Sequence, residues 1–118
     1  MTTPPGVKPP YEGFGHWPRT VHNVGFAATP HQLMTGCGLI IAITAIANTT
    51  TAPANGWLLD GTDATGEYLV FISMVAAGSF TLGPGMPGIP FKRGLYNDPF
   101  TGGYKVSVTY IPLDQPPD

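Results

Sequence analysis

The segment from Tyr104 to Ile111 carries the clearest alternation of apolar and polar positions in the chain. One parity holds Tyr104, Val106, Val108 and Tyr110, and the other holds Lys105, Ser107 and Thr109. Successive side chains of a β-strand point to opposite faces of the sheet. The pattern therefore predicts an antiparallel strand with one face in a core and the other half-exposed.

Two longer apolar runs predict core strands. Residues Leu39 to Ala47 are apolar on both parities, which is typical of a central strand buried on both faces. A helix also fits this run by periodicity, but its β-branched residues and the flanking glycines Gly36 and Gly38 favour a strand. Residues Glu67 to Val75 predict a second long core strand.

Shorter candidates lie between turn signals. The candidate strands are Thr20 to Ala28, Trp57 to Leu59, Ser79 to Leu82 and a brief pairing within Phe91 to Asn97. Residues Asn48 to Gly56 and Gly83 to Pro90, rich in turn-forming residues, predict loops. Six to eight short strands at such spacing predict an all-β fold, a small antiparallel sandwich or jelly roll.

The first 18 residues form a separate proline- and glycine-rich segment. Its prolines are Pro4, Pro5, Pro9, Pro10 and Pro18. We expect an extended arm over 1–18, and one sandwich domain over 19–118 that ends in a short proline-containing tail. The arm also carries the aromatic residues Tyr11, Phe14 and Trp17, so it either folds back on its own domain or docks on another chain. These three are candidate partner contacts.

Composition narrows the classes of function. Only 10% of the residues are charged, against about 25% in ordinary soluble domains. The five Lys and Arg residues are scattered, so the basic footprint of a nucleic-acid binder is missing. The longest apolar run, Cys37 to Ala47, is far shorter than a membrane span. We therefore expect binding to neither nucleic acid nor membrane. A charge-poor surface favours association, so we also expect a homo-oligomer.

The loop Gly83 to Gly88 spells the glycine spacing of a dinucleotide-binding motif. That motif requires a helix to start inside the loop, and Pro87 and Pro90 preclude one. We interpret the segment as a rigid exposed loop that serves as a contact surface. Met86 and Ile89 are its candidate partner contacts.

Three carboxylates lie close together at Asp60, Asp63 and Glu67. Calcium binding is one reading, but the spacing does not fit an EF-hand loop, and turn geometry explains the Asp and Gly residues. The histidines and Cys37 show no zinc-ligand spacing. We expect no catalytic residue, no cofactor and no metal, and hence no enzyme.

The second half of the chain resembles the small all-β virion proteins that decorate the capsids of tailed bacteriophages. The shared features are Trp57-Leu-Leu-Asp-Gly61-Thr, Thr65-Gly66-Glu-Tyr-Leu-Val-Phe, Gly94-Leu-Tyr96 and the tyrosine-flanked strand Tyr104 to Tyr110. The stretch Asn97 to Phe100 has no counterpart in that pattern. The resemblance implies a structural subunit of the virion, made in the host cytoplasm and without an active site.

This resemblance leaves two functions open. The first is a capsid decoration, or cement, subunit that binds the major capsid protein and forms a homo-oligomer, with a trimer favoured. The second is a tail or fibre-tip module that binds a host receptor or carbohydrate. For that role the aromatic candidates are Trp17, Trp57, Tyr68, Tyr96 and Tyr104, although core packing is the commoner role of such residues.

Overall fold

The described part of the chain forms nine β-strands. A computed structural model describes residues 17–22, 30–47, 53–83 and 88–116. The strands are β1 Arg19–His22, β2 His31–Thr35, β3 Gly38–Ala47, β4 Ala54–Asp60, β5 Glu67–Met74, β6 Ser79–Leu82, β7 Ile89–Phe91, β8 Gly94–Thr101 and β9 Tyr104–Pro112. Over these residues no helix is long and apolar enough to cross a bilayer.

The strands form two antiparallel sheets with jelly-roll topology. Sheet A has the order β1-β9-β3-β6, and sheet B has the order β2-β8-β4-β5. Strand β9 pairs along the whole of β3, so β6 and the short β7 share the other edge of β3. A jelly roll is one long hairpin rolled into two sheets. The antiparallel pairs of such a hairpin are present here: β1 with β9, β2 with β8, β3 with β6 and β4 with β5. The predicted all-β class is confirmed.

The core lies between the two sheets. Its largest contributions come from the inward parities of β3, β5 and β9, which supply Ile40, Ile43, Ala45, Ala47, Val70, Ile72, Met74, Tyr104, Val106, Val108 and Tyr110. The predicted alternation of β9 is confirmed, since Tyr104, Val106 and Val108 are fully buried while Lys105 is exposed. Burying these apolar side chains is the main force that holds the sheets together.

Strand β3 is central, as predicted, but the prediction that both of its faces are buried is wrong. Thr44 is exposed, and Ile46 keeps 53% of its surface accessible. In a structure of two layers, only one face of each sheet meets the core. The apolar residues of the other parity therefore lie on the outer face of sheet A.

Strand β5 contributes to the core, as predicted, but its second face is exposed. It supplies Val70, Ile72 and Met74 to the core, yet it lies at the edge of sheet B and pairs with β4 alone among the described strands. Its other residues include Tyr68 and Phe71, which are exposed. The uninterrupted apolar run hid this difference between its two faces.

Several element bounds differ from the sequence prediction. Strand β2 was not predicted, and β4 begins at Ala54, inside the predicted loop. Strand β8 is eight residues long where a brief pairing was expected. Strand β7 begins at Ile89 and tolerates Pro90, consistent with its position at a sheet edge. Residues 23–28 of the first predicted strand lie outside the described residues.

A hydrogen bond inside the sandwich joins Tyr104 on β9 of sheet A to Asn97 on β8 of sheet B. The Tyr104 hydroxyl donates a hydrogen bond of 2.7 Å to Asn97 Oδ1, and both side chains are fully buried. A Cβ atom at Gly56 would collide with this hydroxyl and would lie 2.9 Å from Pro99 Cα. Only a glycine at position 56 lets the Tyr104 ring lie against β4.

We expect Gly56→Ala to lower the free energy of unfolding by about 1–3 kcal/mol, the usual cost of overpacking a core. Urea unfolding measures the change. In a Tyr104→Phe background the same substitution should cost less, because the hydroxyl that the methyl group meets is gone. Equal costs in the two backgrounds would contradict the proposed clash.

Candidate functional site

Three aromatic rings form one cluster on the outside of sheet B. The ring centroids of Trp57 on β4 and Tyr68 on β5 are 4.6 Å apart, and those of Trp57 and Phe71 are 4.9 Å apart. Tyr68 is 63% exposed and Phe71 is 43% exposed, whereas Trp57 is half-buried between them. We call Trp57, Tyr68 and Phe71 the aromatic face.

A β-bulge brings Tyr68 to this face. Leu58 pairs with Val70 and Leu59 pairs with Tyr68, so Leu69 is an extra residue in β5. Strict alternation would place Tyr68 on the same side as Val70, inside the core. The extra residue reverses that parity, and Leu69 packs against the core while Tyr68 is exposed.

Polar groups border the aromatic face. The Ser73 hydroxyl donates a hydrogen bond of 2.7 Å to Asn55 Oδ1 across β4 and β5. Asp98 on β8 pairs in register with Trp57 and is half-buried. Glu67, exposed at the start of β5, pairs with the buried Asp60 and therefore lies on the opposite parity from Tyr68. The face thus combines apolar rings with hydrogen-bonding groups and one carboxylate, that of Asp98.

The charged residues of the strands are divided between the sheets. Those of sheet B are all acidic: Asp60, Glu67 and Asp98. Those of sheet A are both basic: Arg19 and Lys105. Asp60 is buried and Glu67 pairs with it on the same parity, so Asp98, in register with Trp57, sets the sign of the outer surface of sheet B. This surface favours cationic over anionic partners.

Asp60 holds one end of the sandwich together. Its carboxylate accepts hydrogen bonds from the backbone N–H groups of Lys92 at 2.9 Å, Arg93 at 2.8 Å and Gly94 at 3.4 Å. The side chain is only 8% exposed. Asp60 is therefore more than the turn residue predicted from the sequence: it fixes the connection between β7 and β8 against the end of β4.

Gln32 makes a second set of links at the same end. Its Nε2 lies 2.6 Å from the Met34 carbonyl oxygen, 3.0 Å from that of Gly61 and 2.8 Å from that of Leu95. Gly94 packs so closely here that a Cβ atom would lie 2.6 Å from the Met34 oxygen. Strands β2 and β8 and the loop after β4 are joined through one amide group.

The three clustered carboxylates have separate roles in the structure. Asp63 is exposed, and its Oδ1 accepts hydrogen bonds from the Thr65 backbone N–H at 2.9 Å and from the Thr65 hydroxyl. These hydrogen bonds, led by that of the hydroxyl, hold the pKa of Asp63 below its usual value. Glu67 is exposed and begins β5. In the part of the chain that the structure describes, no three His, Cys, Asp or Glu residues form a group that could hold a metal ion.

The predicted contact residues lie in different places. Trp17 is 44% exposed just before β1, and Ile89 in β7 is partly buried against the core. Tyr11, Phe14 and Met86 lie outside the described residues.

The thiol of Cys37 is 3.4 Å from the Leu113 carbonyl oxygen and donates to it.

The aromatic residues that were candidates for a receptor-binding surface also lie in different places. The structure brings Trp57 and Tyr68 together, and Tyr96 on β8 is half-buried. The suggestion that Tyr104 supplies an aromatic platform is wrong, because its ring is fully buried in the core. Phe71 was missed, because this part of β5 is apolar on both parities and the sequence does not show which parity meets the core.

Comparisons with known proteins add no relative. A scan against protein-family models, a search of curated proteins and a search of solved structures each find no match to the chain.

We expect Asp60→Ala to lower the free energy of unfolding by at least about 2 kcal/mol, because it leaves three backbone donors without their charged acceptor. Denaturant unfolding measures the loss. The matched control is Asp63→Ala, which removes an exposed carboxylate from the next loop and should leave the midpoint almost unchanged. A similar loss in both variants would show that Asp60 has no special role.

Tyr104 predicts a dependence of stability on alkaline pH. Burial, reinforced by the nearby Asp98 charge, raises the pKa of Tyr104 above its usual value of 10. The folded state therefore favours the neutral phenol, and this contribution is complete below pH 10 and is lost as the pH rises further.

We expect the difference in stability between wild type and Tyr104→Phe to shrink as the pH is raised above 10, as followed by urea unfolding at each pH. The control Tyr68→Phe removes an exposed hydroxyl and should give a curve parallel to that of wild type. A constant difference for Tyr104→Phe would contradict the burial argument.

Proposed function

We propose that the chain is a bacteriophage virion structural protein, a capsid decoration (cement) subunit that binds the major capsid protein and stabilises the head. The observation that carries this proposal is a pair of hydrogen bonds between two segments that carry the resemblance, Asp60-Gly61 and Gly94-Leu95. The Gly94 N–H donates to the Asp60 carboxylate. The Gly61 N–H donates to the Gly94 carbonyl oxygen at 3.2 Å.

These hydrogen bonds give the residues that carry the resemblance a structural role in the jelly roll, which supports the proposal of a structural subunit. Jelly rolls are common in viral capsid proteins, although a fold alone does not define a function. The proposed place of action is the virion, after synthesis in the host cytoplasm.

The surface supports an assembly role. The chain has a formal net charge of only −2 and 10% charged residues, and its outer faces carry exposed apolar side chains on β3 and β5. Ile46 on sheet A and Phe71 on sheet B are examples. Burial of such surface favours association, and the proposed homo-oligomer, with a trimer favoured, would cover part of it.

A second candidate function is a tail or fibre-tip module that binds a host receptor or carbohydrate. The aromatic face favours it, since Tyr68 and Phe71 present exposed rings beside hydrogen-bonding groups on Asn55, Ser73 and Asp98. Lectin domains also use the jelly roll. The location of the protein on the particle separates the two functions.

We expect immunogold labelling of phage particles that carry this gene to place the protein on the head. Heads that lack the protein should release their DNA at a lower temperature, and added purified protein should restore the release temperature. Label at the tail tip, with unchanged head stability, would support the receptor-binding alternative. Particles without any label would overturn both functions.

A further inference from the structure

We propose that the aromatic face of sheet B binds residues 1–16, the first part of the proline-rich arm, of a second copy of this chain. The inference deepens the homo-oligomer part of the proposed function and rests on that part alone. It names the surface and the segment that join the subunits.

The chemistry of the aromatic face fits a proline-rich segment. Tyr68 and Phe71 leave 63% and 43% of their surfaces accessible, on either side of the Trp57 ring. Aromatic surfaces of this kind recognise proline-rich segments, because the pyrrolidine rings pack on the aromatic rings and a stiff segment loses little entropy on binding. The sequence of the arm supplies the proline pairs Pro4-Pro5 and Pro9-Pro10.

The charges of the two partners are complementary. Lys8 directly precedes the second proline pair, and Glu12, the other charged side chain of residues 1–16, follows that pair. The face carries Asp98, which pairs in register with Trp57. A lysine beside the proline rings can therefore pair with this carboxylate.

The other proline pair of the chain is a poorer fit. Pro116-Pro117 lies between Asp114 and Asp118, whose charges have the same sign as that of the aromatic face. Like charges at an interface oppose binding. Charge thus selects the N-terminal segment over the C-terminal one.

The topology favours the arm of a second copy over the arm of the same chain. The arm joins β1, which lies at one edge of sheet A, whereas the aromatic face lies near the opposite edge of sheet B. The contacts of β1 with β2 and of β5 with β6 place these two edges on opposite sides of the sandwich. Each subunit thus has a donor and an acceptor site in different places, the head-to-tail arrangement that closes into rings such as a trimer.

A complementation experiment with full-length chains tests the contact. The arm variant changes Pro4, Pro5, Pro9 and Pro10 to Ser, and the face variant carries Tyr68→Ser and Phe71→Ser. By light scattering after size-exclusion chromatography, we expect wild type to be an oligomer and each variant alone to be a monomer. An equimolar mixture should form a 1:1 dimer, because it contains one intact arm and one intact face.

Three outcomes would overturn the proposal: a wild-type protein that stays monomeric at every concentration, an arm variant that still forms the oligomer, or a mixture that stays monomeric. The measurements use purified protein without particles. Their failure would leave the head-labelling result unaffected, and a failure of head labelling would leave the arm contact standing.

A charge exchange gives an independent readout that does not alter the aromatic rings. We expect Lys8→Glu and Asp98→Lys each to weaken association about two- to five-fold, the range for an exposed ion pair, and the double variant to restore it. The matched control Lys105→Glu changes a charge on sheet A and should not weaken association. If Lys8→Glu weakens association by the same factor in the wild-type background and in the Asp98→Lys background, the assigned contact between these two residues is overturned.

Discussion

The buried carboxylate of Asp60 is the interaction on which the organisation of this jelly roll depends. A sandwich of short strands has several loops meeting at each end, and their backbone polar groups need partners once they are buried. Asp60 supplies acceptors to three successive N–H groups from Lys92 to Gly94, and Gln32 supplies donors to carbonyl groups of the neighbouring segments. Two side chains thereby set the position of β8 relative to β2 and β4.

The alternation of β9 was readable from the sequence because that strand has one buried face and one polar face. The roles of β3 and β5 were less readable, since apolar residues on both parities do not reveal which face meets the core. The sequence also held no local sign of the β5 bulge, which follows from pairing with β4 and decides that Tyr68 is exposed. Likewise, Asp60 was recognised as a turn residue, but its bonds to residues more than 30 positions away come from the tertiary structure.

The scarcity of charge has a structural counterpart in the separation of the two outer faces. Lys105, paired with the exposed Ile46, lies on the outer face of sheet A, and Asp98, paired with Trp57, lies on the outer face of sheet B. With so few charges, each one has a large effect on which surfaces can approach each other. When the outer faces of one subunit differ in charge, a contact between two different faces is favoured over a contact between two copies of the same face. The arrangement proposed for the subunits joins different surfaces in this way.

An exposed edge strand beside aromatic rings would be a hazard for the proposed closed oligomer. Strand β5 has eight residues and pairs only with β4 among the described strands, and an uncovered edge of this kind invites further strands. A proline-rich partner changes that outcome, because prolines lack the N–H groups that a new ladder requires. Covering the aromatic face with such a segment would add apolar contact next to β5 without extending the sheet, so that association ends in a closed oligomer.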